Sequence, residues 1–289
     1  MTHEPTRRQF LKDAAAIGAA VAAMRGADAL AADAPPGELP KIKLGKLEVS
    51  RLILGSNPFF GFAHGNPQAT GREMKEWYTP ERIMNVLDRA AEQGITAVWT
   101  PCYERWVKLW NEYREKGGKL ATWIAQPDRL PMEKEIETAV KNGARAVAIQ
   151  GCQIDGQVGK GRWDVVRAWL ELIKSHGLPA GMATHGAKTH LVAEEKGMPT
   201  DFYHQTLYRP DHYVPEGLEE SLDTIEKLDK PVVCYKVLGA GRILPKDTLP
   251  VVFKRLKPKD GVCLGMFPRD RDEVAENSAL VGKLTRAPA

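Results

Sequence analysis

Eight short apolar segments recur along this chain, and they constrain its fold more than any other feature. Each is a few residues long, mostly continuous in polarity, and most are followed by a helical pattern. Continuous apolar runs are typical of strands buried on both faces of a parallel sheet. Eight such units predict an α/β fold, a single (β/α)8 TIM barrel. The segments are Leu52–Leu54, Thr96–Trp99, Ala121–Ile124, Ala146–Ile149, Pro179–Ala183, Asp201–Tyr208, Val232–Tyr235 and Gly261–Leu264.

The N-terminal segment predicts export. Paired Arg7 and Arg8 precede a Phe-Leu-Lys run and an alanine-rich apolar stretch, the layout of a twin-arginine signal peptide. An Ala-x-Ala-like site ending at Ala31 predicts cleavage after residues 1–31, with a retained anchor as the alternative. We therefore expect the twin-arginine (Tat) export machinery as a partner and a periplasmic location. The stretch is too short for a strong membrane span, so no membrane contact is expected after cleavage.

The exported chain has the size of one barrel domain. Residues 32–41 are predicted to form a proline-rich linker, and residues 42–289 the barrel domain. Cleavage leaves 258 of the 289 residues, close to the ~250 of a typical (β/α)8 domain. Its 37 basic and 34 acidic residues are interspersed, which argues against a nucleic-acid-binding surface.

Four cysteines lie in or just after predicted strands, and none shows a Cys-x-x-Cys spacing. Because the twin-arginine route exports proteins that have already folded in the cytoplasm, we expect reduced thiols that pack in the core. A disulfide between Cys234 and Cys263, on neighbouring predicted strands, stays open as an alternative.

Two features flank the first predicted strand. Alternating residues across Ile42–Val49 predict a β-hairpin that turns at Gly45 and Lys46. The connection from Pro58 to Tyr78 is far longer than a usual βα loop and is rich in aromatic residues. This composition fits either a lid over a pocket or a packed Ω-loop.

Helix punctuation follows most of the predicted strands. Thr79 as N-cap, Pro80 at the first helical position and Gly94 past the end define the first helix. The later helices are predicted to follow Tyr103 and Pro131, to contain Val165–Ile173, to span about 188–196, to contain Leu218–Leu228, to span about 251–256 and to begin near Arg271.

Polar residues follow the predicted strands at the end where a barrel holds its active site. We expect Tyr103 and His185, after the second and fifth strands, to transfer protons. Asp155, Gln150 and Lys236 are expected to complete the catalytic set by orienting a substrate or a metal. Further polar groups at the strand ends are Asn57, Gln126, Asp128, Cys152, Gln153 and His204.

Several stretches resemble the aldo/keto reductases. They are the hairpin followed by Val49–Gly55, the run Ala90–Ile95, the run Leu238–Gly241, and Gly265-Met266 with Glu273–Asn277. The resemblance spans most of the exported chain. It implies a TIM barrel whose end is closed by the hairpin, and an NADPH-dependent carbonyl reductase.

The catalytic tetrad of that family is not retained. The resemblance implies that Tyr103 is the catalytic tyrosine, whereas Trp99 stands in place of the family's aspartate. Neither Ala125 nor Gln126 supplies the family's lysine, and Gln150 stands in place of its histidine. A reductase tyrosine depends on that lysine to lower its pKa, so this pattern predicts altered chemistry.

The resemblance also implies a site for the NADP phosphate near the last strand. Arg269 and Arg271 lie at the corresponding helix N-terminus, where anions bind. Gly239 and Gly241 would line the cofactor. An alternative is that the two arginines pair with Asp270 and Asp272 on a surface turn.

Three other functions compete with reduction. His185, His204 and Glu104 could bind a divalent metal, which would activate a sugar for isomerisation, epimerisation or elimination. Lys236 could form a Schiff base in an apolar barrel mouth. The abundant tryptophan, tyrosine and glutamine also suit a non-catalytic sugar-binding protein. The sequence as a whole predicts an exported enzyme that acts on a small carbonyl or carbohydrate substrate.

Overall fold

The computed structural model of the chain describes residues 38–66, 68–186, 188–207 and 217–286. The predicted signal peptide, most of the predicted linker and Tyr208 lie outside the described residues.

Eight parallel strands close into a barrel, as the apolar segments predict. Neighbouring strands follow one another in sequence, and the last pairs with the first through Val262 and Leu52. Side chains along these strands are buried because the barrel interior covers one face and the helices cover the other. The strands are β3 (Leu52–Gly55), β4 (Ala97–Pro101), β5 (Thr122–Gln126), β6 (Ala146–Ile149), β7 (Ala180–Thr184), β8 (Phe202–Thr206), β9 (Val232–Tyr235) and β10 (Gly261–Gly265).

A hairpin closes the N-terminal end of the barrel. Strands β1 (Lys41–Leu44) and β2 (Leu47–Ser50) pair antiparallel across the turn at Gly45, as predicted. Ile42, Leu44 and Val49 pack against the inward-facing side chains of the barrel strands. Because this end is filled, the open end lies at the strand C-termini.

Ten α-helices surround the barrel in the described part of the chain, and the apolar stripes of all but α1 and α5 pack on the outer face of the strands. They are α1 (Gly71–Trp77), α2 (Pro80–Glu92), α3 (Glu104–Glu115), α4 (Met132–Lys141), α5 (Gly151–Val158), α6 (Trp163–Ser175), α7 (Lys188–Glu195), α8 (Leu218–Lys227), α9 (Pro245–Arg255) and α10 (Glu273–Arg286).

Three helices differ from the prediction. Helices α1 and α5 are additional: each starts with glycine and has too few apolar positions to form a recognisable stripe. Helix α9 begins at Pro245 rather than near 251. The helix continues through Pro250, because Leu249, Val252 and Phe253 are buried on its inner side.

All four cysteines are free of disulfides. Cys234 packs in the outer core beneath the helices, whereas Cys263 packs in the barrel interior. The two thiols therefore lie on opposite faces of the sheet, so the alternative of a disulfide between them is wrong. Cys152 departs from the expected core position and is exposed. No helix among the described residues is long and apolar enough to cross a membrane.

Candidate functional site

A cavity of about 630 Å³ opens at the C-terminal ends of the barrel strands. All eight strands, or the residues directly after them, contribute to its walls. Its volume is that of a small-molecule site. The described non-glycine residues with a positive φ, namely His64, Lys236 and Ala240, all line this cavity. Backbone strain of this kind concentrates at functional sites, which supports this cavity as the site.

The long connection after β3 both carries its own core and covers part of the cavity, so it combines the two predicted roles. Phe59 and Phe60 are buried in a short 3₁₀-helix, while Phe62 is 40% exposed at the rim. The side-chain amide of Gln68 donates a hydrogen bond of 2.7 Å to the carbonyl of Gly241. This bond joins the connection to the segment after β9 across the cavity.

His185 lines the cavity and forms a hydrogen-bonded pair with Asp155. His185 directly follows β7, and its Nδ1 lies 2.6 Å from Oδ2 of Asp155 on α5. The backbone N–H of His185 donates to the same carboxylate at 3.2 Å. A carboxylate on Nδ1 fixes the tautomer with the proton at Nδ1, which leaves Nε2 as the basic atom.

Gly151 permits this pairing. It is the first residue of α5, and a Cβ built on it would lie 2.9 Å from Cε1 of His185 and 3.3 Å from the hydroxyl of Tyr235. A larger residue would push α5, and Asp155 with it, away from the imidazole. Gln150 caps the same helix by accepting a hydrogen bond from the Gln153 N–H at 3.3 Å.

Tyr103 and Asp128 form a second pair in the cavity wall. The Tyr103 hydroxyl donates to Oδ2 of Asp128 at 2.6 Å. Burial of the ring and the neighbouring carboxylate raise the pKa of Tyr103 to about 12. The phenol therefore keeps its proton at neutral pH, opposite to the lowered pKa that the reductase mechanism requires.

His204 lies deep in the barrel and belongs to the lining of the cavity. Its ring stacks on Trp99 at 3.8 Å between centroids and lies 4.3 Å from the Tyr235 ring. Both ring nitrogens are buried without a hydrogen-bond partner. Burial and two neighbouring histidines hold the pKa of His204 well below its ordinary value, so the ring is neutral.

Of the three predicted metal ligands, His185 and His204 line the cavity and Glu104 does not. Glu104 is exposed at the start of α3, while His185 is paired with Asp155. Across the described residues, no group of three or more histidine, cysteine, aspartate or glutamate side chains is arranged to hold a metal ion. The structure therefore does not bring Glu104 to the two histidines.

The two arginines predicted to bind NADP lie at the cavity rim and pair with carboxylates. Arg269 contacts Asp270 at 2.8 Å and Glu73 at 3.3 Å. Arg271 lies 3.4 Å from Glu276, whereas Asp272 pairs with Arg89 instead. The surface-turn alternative therefore holds for Arg269 with Asp270 and is wrong for Arg271 with Asp272.

Gly239 and Gly241 form a turn that packs on protein. Both have a positive φ, of +54° and +82°. A Cβ on Gly241 would lie 2.4 Å from the side chain of Asn66, so this glycine serves the contact between the turn and the long connection. Lys236, at the start of the same segment, lines the cavity in a left-handed conformation with φ of +55°.

The comparisons with known proteins support the fold and do not identify the function. No protein-family model matches the chain, and no curated protein matches it. Among solved structures, it is similar to an aldo-keto reductase from Bacillus halodurans in its holo form, with a TM-score of 0.55 and 12% identity over 87% of this chain and 92% of that chain.

Two further barrels are similar to this chain. Orotidine 5′-monophosphate decarboxylase from Methanocaldococcus jannaschii has a TM-score of 0.50 and 14% identity, over 72% of this chain and 94% of its own. Thiamine phosphate pyrophosphorylase from Pyrococcus furiosus has a TM-score of 0.49 and 17% identity, over 81% and 94%. The similarities with TM-scores of 0.55 and 0.50 support a (β/α)8 fold that assorted enzymes share. Identities this low do not extend to function, which has to be argued from the site.

The hydrogen-bond partner of Tyr103 was not predicted from the sequence. Asp128 stands out there only as a polar residue after the third strand, two positions beyond Gln126. Its place becomes clear when β4 and β5 pair in parallel and the segments after them run side by side. The sequence signal for this pair was a tyrosine and an aspartate that follow neighbouring strands.

Proposed function

We propose that this chain is an enzyme that performs acid–base chemistry on a small carbonyl or carbohydrate substrate, with His185 as the proton-transfer group. The observation that carries the proposal is the 2.6 Å contact between Asp155 and His185, which lines the cavity. Nε2 of the imidazole would take a proton from substrate carbon, and Asp155 would orient the ring and stabilise the imidazolium that forms.

The rest of the cavity supports a hydroxylated substrate. Gln126 and Gln150 supply amide donors and acceptors at the strand ends, and Tyr235 and Phe62 supply aromatic surface. Sugars bind through this combination of hydrogen bonds and stacking. The predicted signal peptide adds that the enzyme would meet its substrate in the periplasm.

The contacts of Tyr103 favour proton transfer over hydride transfer. Aldo/keto reduction needs a tyrosine whose pKa is lowered by a lysine, whereas Tyr103 donates to a carboxylate that raises its pKa. The arginines at the rim are also already paired with carboxylates, which weakens their attraction for a cofactor phosphate. An NADP-linked reaction therefore has less support than acid–base chemistry without a redox cofactor.

Exchange of substrate protons with D2O tests the proposal directly. The purified protein would be incubated with trioses, tetroses, pentoses and hexoses, as aldoses and ketoses, and deuterium next to the carbonyl would be followed by NMR. We expect exchange with at least one sugar. H185A should slow it by roughly 10²–10⁴-fold, the usual contribution of a general base, and D155N should slow it less.

H176A is the matched control, because His176 is exposed at the C-terminus of α6. It should leave the exchange rate unchanged. Saturable sugar binding without exchange would favour the sugar-binding alternative, and full exchange in H185A would overturn the role of His185.

A further inference from the structure

We propose that Tyr103 and Asp128 form a second proton-transfer pair, and that together with His185 they make this site a lyase that eliminates a hydroxyl or alkoxy group β to a carbonyl. The inference rests on the proposed function of His185 and specifies its reaction and substrate class. In it, Tyr103 is the catalytic acid at the leaving oxygen, and Asp128 is a positioning residue.

Several neighbouring groups fix the positions of Tyr103 and Asp128. The Asp128 N–H donates to Glu135 at 2.7 Å, and the Asp128 carbonyl accepts from the side-chain amide of Gln153 at 2.8 Å. The Arg129 guanidinium lies 4.4 Å from the centre of the Tyr103 ring, and its Nε lies 3.8 Å from Oδ1 of Asp128. A tyrosine that only filled space would not require a partner fixed in this way, whereas an acid has to be oriented.

The two pairs stand on separate sides of the cavity. Tyr103 follows β4 and His185 follows β7, with β5 and β6 between those strands in the barrel. A base and an acid on separate sides suit an anti elimination, in which the proton and the leaving group depart from opposite faces of the substrate. An isomerase that moves one proton between adjacent carbons instead needs its base on a single face.

The step balances without a cofactor or co-reactant. Nε2 of His185 takes the proton on the carbon α to the carbonyl, and the C–H electrons form a double bond to the β carbon. The bond from the β carbon to oxygen breaks with its electron pair, and the Tyr103 hydroxyl protonates that oxygen. The imidazolium then returns its proton to solvent, and the phenolate takes one from solvent.

The protonation behaviour of Tyr103 fits this role. A phenol with a pKa of about 12 holds its proton until an alkoxide-like oxygen develops, because proton transfer is efficient between groups of similar pKa. The carboxylate of Asp128 disfavours a lasting phenolate, so the acid is restored for the next turnover.

Measuring exchange and elimination in parallel tests the inference. Glucose and 3-deoxyglucose both carry a proton α to the aldehyde, but the second lacks the β-hydroxyl group. We expect the enzyme to convert glucose, or another aldose that exchanges, to a 3-deoxy dicarbonyl product, which o-phenylenediamine traps. Y103F should lower this elimination by at least about 10²-fold and lower α-proton exchange much less, so that the ratio of elimination to exchange falls.

D128N supplies a readout that a purely structural role would not change. Without the carboxylate, Tyr103 should ionise at lower pH, so the high-pH limb of the elimination rate should shift to lower pH. The matched controls are Y113F and D88N, because Tyr113 donates to Asp88 at the same 2.6 Å outside the cavity lining. Neither control should shift that limb.

The outcomes separate the two proposals. Absence of exchange with every sugar overturns the proposed function itself. His185-dependent exchange without any 3-deoxy dicarbonyl product, or equal elimination by Y103F and the original protein, overturns this inference and leaves the proposed function intact.

Discussion

Two histidines of this barrel differ in their access to the cavity. His185 lies in the cavity wall with a carboxylate on Nδ1. His190, five residues later on α7, is fully buried against the ring of Tyr203. Burial lowers the pKa of His190 to about 3, so its imidazole stays neutral at a mildly acidic pH at which an exposed histidine is charged. The same residue type therefore serves the site in one place and the core in the other.

His190 should make the protein less stable in mild acid. In the unfolded chain its imidazole takes a proton below about pH 6.5, whereas in the folded chain it stays neutral down to about 3. The unfolded state thus binds more protons between these values, and the free energy of unfolding falls as pH falls, by up to about 1.4 kcal/mol per pH unit.

Urea unfolding at about pH 7.5, 6 and 5 measures this slope. H190L should be less sensitive to pH over that range, whereas H176L, at an exposed histidine, should keep the original slope. An unchanged slope in H190L would show that His190 does not contribute to acid sensitivity.

At the scale of elements, the strands were predictable, whereas two of the three shortest helices, α1 and α5, were not. The eight strands are continuous apolar runs, and this pattern follows from burial on both faces, so it is visible without knowledge of tertiary contacts. Helices α1 and α5 lack an apolar stripe. Helix α1 packs on the 3₁₀-helix after β3, and α5 packs on β7 and α6. The capping box of Thr70 and Glu73 was the available sequence signal for α1.

The contact between Gly61 and Gly71 tests how tightly the cavity connection is packed. Gly61 has a φ of +69°, and a Cβ on it would lie 2.4 Å from the Gly71 carbonyl oxygen at the start of α1. G61A should therefore carry two penalties, the left-handed conformation at about 1–2 kcal/mol and an overpacking cost of about 1–3 kcal/mol.

Gly117 is the matched control, since its φ is +77° and no atom lies within 4 Å of an added Cβ. G117A should lose only the conformational part of the free energy of unfolding, as measured in urea. Equal losses in G61A and G117A would mean that Gly61 and Gly71 do not pack closely.

At the scale of the whole molecule, barrel closure assembles a site that the sequence shows only in pieces. Tyr103, Asp155 and His185 were each predicted from their places after strands. Their partners could not be predicted, because Asp155 reaches His185 only through α5, which the pattern missed. Position after a strand also does not reveal which way a side chain points, so the sequence could not show that Glu104 is exposed and outside the cavity lining.

The evidence for an NADP-linked reaction is separate from the evidence for the fold. Distant similarity to an aldo-keto reductase supports a shared barrel, and at 12% identity it carries no activity. In this chain the hydroxyl of Tyr103 donates to Asp128, which raises the pKa of the phenol. This arrangement is consistent with the acid–base chemistry that we propose.

We infer that Asp155 holds His185 with its proton on Nδ1 and leaves Nε2 as the base. Nitrogen-15 NMR of the imidazole, at a pH where the ring is neutral and with H185A to assign the signal, measures this directly. We expect the Nδ1–H tautomer in the original protein and its loss in D155A. An Nε2–H tautomer in the original protein, or no change in D155A, would contradict it.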